Sequence, residues 1–411
     1  MSYDVSNAWG NAGYRKFNKF DRDTNSDLLQ KVTRKILVLT GKRGGYGAMK
    51  PMLRLLRDSP DFELQLVATD QHVNPRFGYT LQEIKKEFNV AATVDIEQLD
   101  ASSKNRSKAL GSCLTRMTDV FVDLAPDLCI LYGDRGEVLV SAVAALHLNL
   151  PIAHIQGGDV SGSLDDSMRH ALTKLAHLHF PATEESAKRI RRMGEETWRI
   201  QVVGDNHIDL IVAGEYTPGP EVIAALGLNP HQPIVVVLQH PETTRPAAAY
   251  CQAVETLEAV RQSGLQAVVI HPCSDAGHDG TIAAIEQLAT PPQFQVHINL
   301  DAPIFWGLLS VSNVMVGNSS AGLIETPTFG LPSVNIGRRQ IGRLHSENVL
   351  HVDHDRIAIA AAIDQALSAS FVNTARSCRK IFGDGMAGEK IVEALRRVSI
   401  NDTLIQKEIT Y

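Results

Sequence analysis

The run Gly317-Asn318-Ser319-Ser320-Ala321-Gly322 is the stretch best suited to holding an anion, and it directly follows the apolar residues Val314-Met315-Val316. Small residues at the end of a buried strand let backbone N–H groups and two hydroxyls close on phosphate oxygens. The helix expected next adds roughly half a positive charge through its dipole. This is a diphosphate cradle without a Walker lysine; a plain polar turn with a capping serine has the same composition. Glu325, one turn further on, has the reach to accept hydrogen bonds from both hydroxyls of a ribose. Arg338, Arg339 and Arg343 follow the apolar stretch Ser333 to Ile336, at the same rim. A planar guanidinium forks onto phosphate oxygens. A solvated basic face also accounts for the three charges, but their place beside the serine loop favours phosphate.

A second group of loops carries acids. Gly133-Asp134-Arg135-Gly136-Glu137 follows the apolar run ending at Leu131, and Gln156-Gly157-Gly158-Asp159 follows the one ending at Ile155. Asp165-Asp166 and Arg169-His170 continue the series at the start of a helix. Aspartates are also common helix caps and dipole partners. Three strand-end loops that each present a carboxylate to one cleft nevertheless suit proton transfer on a sugar, where a paired acid and base are needed. Earlier still, Gly41-Lys42-Arg43-Gly44-Gly45-Tyr46-Gly47 lacks the full Gly-x-Gly-x-x-Gly fingerprint because Lys42 takes the first glycine's place. Its glycines serve equally for a tight turn, while Arg43 directs a cation into the cleft. His240, in Gln239-His240-Pro241, stands at the same rim. No His-Glu-x-x-His spacing is present, and His147, His177, His179, His351 and His354 sit where helix, strand or surface roles suffice, so no metal site is expected. Without a Gly-x-Ser-x-Gly elbow, an α/β-hydrolase reading fails.

The elements that must position these residues are short apolar strands alternating with helices. Ile36 to Leu39, Phe62 to Ala68, Leu128 to Leu131, Ile152 to Ile155 and Ile200 to Val203 read as strands of one domain. Ile234 to Leu238, Ala267 to Ile270, Phe294 to Ile298, Val314 to Val316 and Ser333 to Ile336 read as strands of another. Met49 to Arg57, Val138 to Leu148 and Asp166 to Ala176 read as helices. Gly214, Pro218, Gly219 and Pro220 mark a hinge between the halves. The expected fold class is therefore α/β, with two doubly wound Rossmann-like domains and the site in the cleft between them, outside the C-terminal strand ends. We expect a polar leader at 1–31, an N-terminal domain at 32–213, a nucleotide-binding domain at 214–385, and a C-terminal helix and tail at 386–411 that packs back on the first domain.

Composition narrows the partners. Forty Lys and Arg against 46 Asp and Glu leave a net charge of −6, with no basic excess for nucleic acid or an anionic membrane. The five cysteines are odd in number and show no Cys-x-x-Cys pair, which argues against a disulfide framework or thiolate zinc. The start has no apolar h-region, and no apolar run reaches the ~20 residues that span a bilayer. A soluble, cytoplasmic protein is expected.

Taken in order from about Lys35 to Glu389, the segments resemble the hydrolysing UDP-N-acetylglucosamine 2-epimerase family. The resemblance rests on Gly133-Asp134-Arg135, Asp165 to His177, Leu238 to Thr244, Gly317 to Gly322 and Asn335 to Arg343. It implies the two-domain GT-B-like architecture and the supply of ManNAc-type sugars for sialic-acid-like products. It implies that the C2 proton is removed and UDP expelled to give a 2-acetamidoglucal, after which water adds with inverted C2 configuration. Neither a redox cofactor nor a metal is implied, and the partners are a nucleotide sugar and further copies of the chain, as a homodimer or homotetramer. Arg43, Arg135, His240, Asp275, Ser319, Ser320, Glu325, Arg339 and Arg343 would hold the nucleotide. Asp134, Asp159, Asp165, Asp166 and His240 would act at the sugar, with Gln156, Arg169 and His170 around it. The family's Arg-Ala-Asp is here Arg43-Gly44-Gly45, and Gln156, which cannot serve as a base, stands where the family often has Glu or His. Asp159 is close enough to substitute. Gly136 replaces a common bulky residue, so a more open pocket would take a larger sugar, such as a UDP- or GDP-linked 2,4-diacetamido-2,4,6-trideoxyhexose. The reversible epimerase reading disagrees with Leu238-Gln239-His240-Pro241, where that relative carries His-Arg-Arg-Glu-Asn. A GT-B glycosyltransferase and a silent nucleotide-sugar binder remain open on the residues alone.

Overall fold

The computed structural model describes residues 33–75, 79–100, 102–160, 164–242, 244–273 and 275–411. The polar leader, and Thr243 of the histidine-loop motif, lie outside the described residues.

Two parallel six-stranded sheets organise the chain. The first holds β1 (Arg34–Thr40), β2 (Phe62–Thr69), β3 (Val90–Val94), β4 (Leu128–Tyr132), β5 (Ile152–Ile155) and β6 (Leu178–Phe180), in the order β3-β2-β1-β4-β5-β6. The second holds β7 (Ile234–Leu238), β8 (Gln266–Ile270), β9 (Phe294–His297), β10 (Val314–Gly317), β11 (Ser333–Ile336) and β12 (Val349–Val352), in the order β12-β11-β10-β7-β8-β9. Helices cover both faces, which is why the central strands are continuous apolar runs: Ile36, Leu37, Val38 and Leu39 are all buried, as are Val235, Val236 and Val237. Strand order reverses between β1 and β4 and between β7 and β10, and a crevice opens at such a point.

Several elements depart from expectation. Helix Arg43–Asp58 begins at Arg43 rather than Met49, so the glycine stretch is its first turn and not a loop. The expected strand Ile200 to Val203 is reduced to one bridge, from Ile200 to His179. The stretch read as a hinge, Gly214 to Pro220, runs into helix Gly219–Ala225, and just before it stands helix Asn206–Val212, whose Ile208, Leu210 and Ile211 are buried. Edge strands β3 and β12 were unexpected because their alternating exposure leaves no continuous apolar run.

The C-terminal helix Ala387–Arg397 packs on helix Arg43–Asp58, where Ala387, Ile391, Val392 and Leu395 share a core with Met49, Met52, Leu53 and Leu56. Burying each larger side chain contributes about 1.5–3 kcal/mol. Polar anchors set the register. The Asp209 carboxylate accepts from the N–H groups of Ala387 (2.9 Å) and Gly388 (2.7 Å), capping that helix from helix Asn206–Val212. Arg199, only 2% exposed, donates to the carbonyls of Thr403, Leu404 and Gln406. Among the described residues no single helix is long and apolar enough to cross a membrane.

Candidate active site

Loops from both switch points face each other across the crevice, and three adjoining cavities of about 340, 350 and 710 Å³ run between them. On the first-sheet side the charges are paired before any ligand arrives. Arg169, buried on helix Leu164–Leu175, forks between two carboxylates: one nitrogen donates to Asp134, the other to Asp166 at 2.7 Å and to the Asp159 carbonyl at 3.0 Å. The Asp159 carboxylate accepts from the Ser186 hydroxyl, and burial pushes its pKa up. Behind this layer, Asp70 and Glu137 are buried against Arg106 and Arg135. Asp134, Arg135, Gln156, Asp159 and Arg169 all line one cavity.

The second-sheet side is built mainly from neutral hydrogen bonds, with the Arg339 guanidinium at its edge. Gly317 at the end of β10 has φ +137°, and a Cβ there would lie 2.1 Å from the Leu238 carbonyl oxygen, so the ends of β7 and β10 close up only with glycine. Asn318 then bridges the two loops. Its Oδ1 accepts from the His240 N–H at 2.7 Å and its Nδ2 donates to the His240 carbonyl at 2.9 Å. The Asn318 carbonyl accepts in turn from Gln340 at 2.8 Å and Arg339 at 3.2 Å. His240 Nδ1 accepts from the Cys273 N–H at 3.1 Å, so in the neutral ring the proton sits on Nε2. Burial, with the Arg339 charge, lowers the imidazole pKa to about 4. His240 is thus a neutral donor at physiological pH. Trp306 Nε1 donates to Glu325 Oε2 at 2.8 Å, and burial raises the Glu325 pKa.

Between these two sides stands His207, at the start of helix Asn206–Val212. Its Nδ1 lies 3.0 Å from Asp205 Oδ1, and the other Asp205 oxygen accepts from Gln156 Nε2 at 3.1 Å. Alone among the described residues, His207 lines all three cavities.

The placement of the expected residues is uneven. Asp134, Asp159, Gln156 and Arg169 converge as expected, and Arg343 lines the same cavities, where it stands beside Ser320 and Glu325 as well. Burial, with the Arg339 charge, lowers the Arg343 pKa. Asp166 serves as Arg169's partner, while Asp165 is exposed in the first helical turn; neither lines the three cavities. His170 is half-buried and does not line them either. Ser320 lines the cleft, but Ser319 is turned inward, its hydroxyl accepting from the Ala321 N–H at 3.4 Å. The helix after that loop, Ala321–Ile324, ends after one turn at Glu325, so the expected dipole is truncated. Arg43 does face the cleft, yet it meets Asp301 at 3.2 Å and Glu83 at 3.6 Å. Asp275 pairs with Arg339 at 3.6 Å. Gly136 does not open the pocket: a Cβ there would meet Leu110 at 2.7 Å, so it permits close helix packing, whereas Gly45 lines the cleft beside Tyr132. Asn318 and the Asp205–His207 pair were missed as functional groups. The signal for the pair was present as Asp-x-His at a helix start.

Comparison with known proteins places the chain in a family and matches its fold. The UDP-N-acetylglucosamine 2-epimerase family profile matches residues 54–396. The chain is 34% identical to UDP-N,N'-diacetylbacillosamine 2-epimerase (hydrolyzing) of Legionella pneumophila over 92% of this chain and 99% of that protein. It is 32% identical to UDP-N-acetylglucosamine 2-epimerase of Neisseria meningitidis over 82% of this chain and 88% of that one. In fold it resembles the crystal structure of a UDP-GlcNAc 2-epimerase from Neisseria meningitidis bound to UDP-GlcNAc, with TM-score 0.77 at 17% identity over 89% of this chain and all of that one. The architecture is GT-B-like, as expected from the alternation and the resemblance. With the match spanning most of its length, the chain belongs to the UDP-N-acetylglucosamine 2-epimerase family.

Proposed function

We propose that this protein is a hydrolysing 2-epimerase that converts a UDP-linked 2-acetamido sugar to the free 2-epimer and UDP. The observation that carries the proposal is the polarity of the cleft: paired carboxylates around Arg169 at one end, neutral donors around Asn318 at the other. Ser320, the Nε2–H of His240 and cations at the rim hold the diphosphate, and Glu325 accepts from the ribose. At the sugar end a carboxylate, with Asp134 the leading candidate, takes the C2 proton. The C–H pair becomes the C1=C2 bond while the C1–O pair leaves with the β-phosphoryl oxygen, giving UDP and a 2-acetamidoglucal. Water then supplies hydroxyl to C1 as a proton enters C2 from the opposite face, so the sum is substrate plus water to free sugar plus UDP. Preorganised donors stabilise the charge that develops on the leaving diphosphate. Hydrolysis, rather than return of UDP, is supported by the likeness to relatives named as hydrolyzing.

UDP-GlcNAc is the simplest substrate. A 2,4-diacetamido-6-deoxy sugar is favoured by the relatives named for diacetylbacillosamine and by Gly45 beside the cavity. Incubation of the protein with UDP-GlcNAc and with its 4-acetamido-6-deoxy analogue in deuterated water tests both. The proposal expects released UDP and deuterium at C2 of a free sugar. A UDP-linked epimer with no free sugar would overturn the hydrolytic assignment.

A further inference from the structure

His207 and Asp205 are not among the residues to which the proposed reaction assigns a task. Gln156 and the backbone N–H of His207, both bonded to Asp205, fix its carboxylate, and Asp205 in turn fixes the ring through Nδ1. The other ring nitrogen, Nε2, takes no protein hydrogen bond among the described residues, and the side chain is 35% exposed into the cleft. Its location is specific. One cavity it lines carries Asp134, Arg169 and Ser320, a second carries His240 and Trp306, and a third carries Ser320 and Glu325. A molecule with its sugar among the carboxylates and its diphosphate at the serine loop has its C1–O bond at that junction.

We propose that His207, oriented by Asp205, is the acid–base residue at the anomeric carbon; the inference rests on the hydrolysing reaction above. As the imidazolium, it gives the Nε2 proton to the departing β-phosphoryl oxygen while the C1–O bond breaks, and becomes neutral. When a proton enters C2 of the glycal, C1 becomes electron-poor and water bonds there. The neutral imidazole takes the proton that water sheds and returns to its starting state. One group acting first as acid and then as base is the economy used in retaining glycoside hydrolysis.

The charges around the ring suit this cycle. Asp205 and Glu325 face it with negative charge, and Lys42, Arg343 and Arg169 border the shared cavities with positive charge. Burial alone would lower the imidazole pKa, but the hydrogen bond and charge of Asp205 outweigh it and raise the value above the ordinary one. Asp205 is correspondingly held low against burial by His207 and the backbone.

The test compares wild type, His207→Gln and Asp205→Asn in steady-state UDP release across pH, in calorimetric UDP binding, and in hydration of synthetic 2-acetamidoglucal. For His207→Gln the expected result is a fall in kcat of about 10²–10⁴-fold, loss of one limb of the pH profile, slowed glycal hydration and unchanged UDP affinity. Asp205→Asn should move that limb to lower pH, because the imidazolium loses its counter-charge. Wild-type turnover with an unaltered pH profile in His207→Gln overturns this inference and leaves the epimerase reading standing. Loss of UDP binding together with activity also overturns it, in favour of a structural role. A wild-type protein that releases no UDP from either sugar overturns the reading and the inference together.

Discussion

The two walls of the cleft are held together by different forces. On the first-sheet wall, Asp134, Asp166, Asp70 and Glu137 are matched against Arg169, Arg106 and Arg135, so most of the anionic charge is already offset by cations. On the second-sheet wall the framework is an amide clamp: Asn318, fully buried, joins two loops through His240, and the histidine itself is neutral. The contrast matches the demands that the proposed reaction puts on each wall. A diphosphate brings its own charge and needs fixed dipoles that do not have to reorganise. A proton-transfer site needs groups that can change charge, and a carboxylate clamped to arginine is kept in place without being consumed by packing.

The largest effect should come from separating these functions. Asp134→Asn should cut kcat by about 10²-fold or more, because an amide retains the hydrogen-bonding shape but cannot take a proton. UDP affinity, set by the opposite wall, should be unchanged by calorimetry. Wild-type turnover in that variant would reduce Asp134 to a partner of Arg169, and the distinction between the walls would collapse.

On the wall proposed to hold the phosphates, the structure separates two neighbouring serines. Ser320→Ala removes a hydroxyl that lines the cleft, and a hydrogen bond to a charged acceptor is worth about 1.5–3 kcal/mol. UDP affinity should therefore fall by at least tenfold, with little change in the melting temperature of the free protein. Ser319→Ala should leave affinity nearly intact, because that hydroxyl already serves its own loop. Equal losses at both positions would show that the loop reorganises around the ligand.

Sequence patterns reached the strands and the loops but not the pairings. Ile36 to Leu39 and Ile234 to Leu238 are legible because a strand covered on both faces must be apolar throughout. Val90–Val94 and Val349–Val352 are not, since an edge strand alternates in exposure and lacks that signature. The strand-end position of Asp134 could be read, but not that Arg169, 35 residues away, would hold it. His207 was hidden for another reason. Gly214, Pro218, Gly219 and Pro220 read as a hinge, and the seven residues just before them form a short helix whose position is set by Asp209 capping the C-terminal helix, a contact across 178 residues. Such long-range anchors leave no periodic trace.

A smaller effect is expected from acidity. His240 has its pKa lowered to about 4, so it stays neutral from pH 8 down to about pH 5 and gains charge only below that window. UDP's own phosphate ionises in this range, so the informative quantity is the ratio of affinities between wild type and His240→Gln. An amide still offers a neutral donor, and the variant should bind UDP weaker by about 1 kcal/mol, roughly fivefold. The ratio should be flat across pH 5 to 8. A ratio that grows as pH falls toward 5 would mean a charged imidazolium holds the phosphate, which would make the second wall ionic like the first.

The subtlest expected effects, on preference between sugars rather than on turnover, distinguish two glycines, one on the cleft surface and one behind it. Gly45 lines the cavity, and a Cβ there would stand 3.3 Å from Tyr132 Cδ1, a tight but tolerable approach. Gly45→Ala should narrow the sugar end without loss of stability, since alanine is favoured over glycine within a helix by about 0.5–1 kcal/mol. One methyl group in a pocket discriminates by about 10-fold and seldom by more than 200-fold, so the diacetamido sugar should lose kcat/KM relative to UDP-GlcNAc by a factor near the lower figure. Gly136→Ala instead drives a methyl to 2.7 Å from Leu110 Cδ1, the far end of a side chain that can shift. It should lower stability by about 1 kcal/mol through overpacking and leave the preference between the two sugars unchanged. Competition kinetics on both variants decides the matter. A changed preference in Gly136→Ala would mean that helix Gly136–His147 transmits its packing to the loop carrying Asp134. In that case the first wall would be tuned from behind as well as from the cleft.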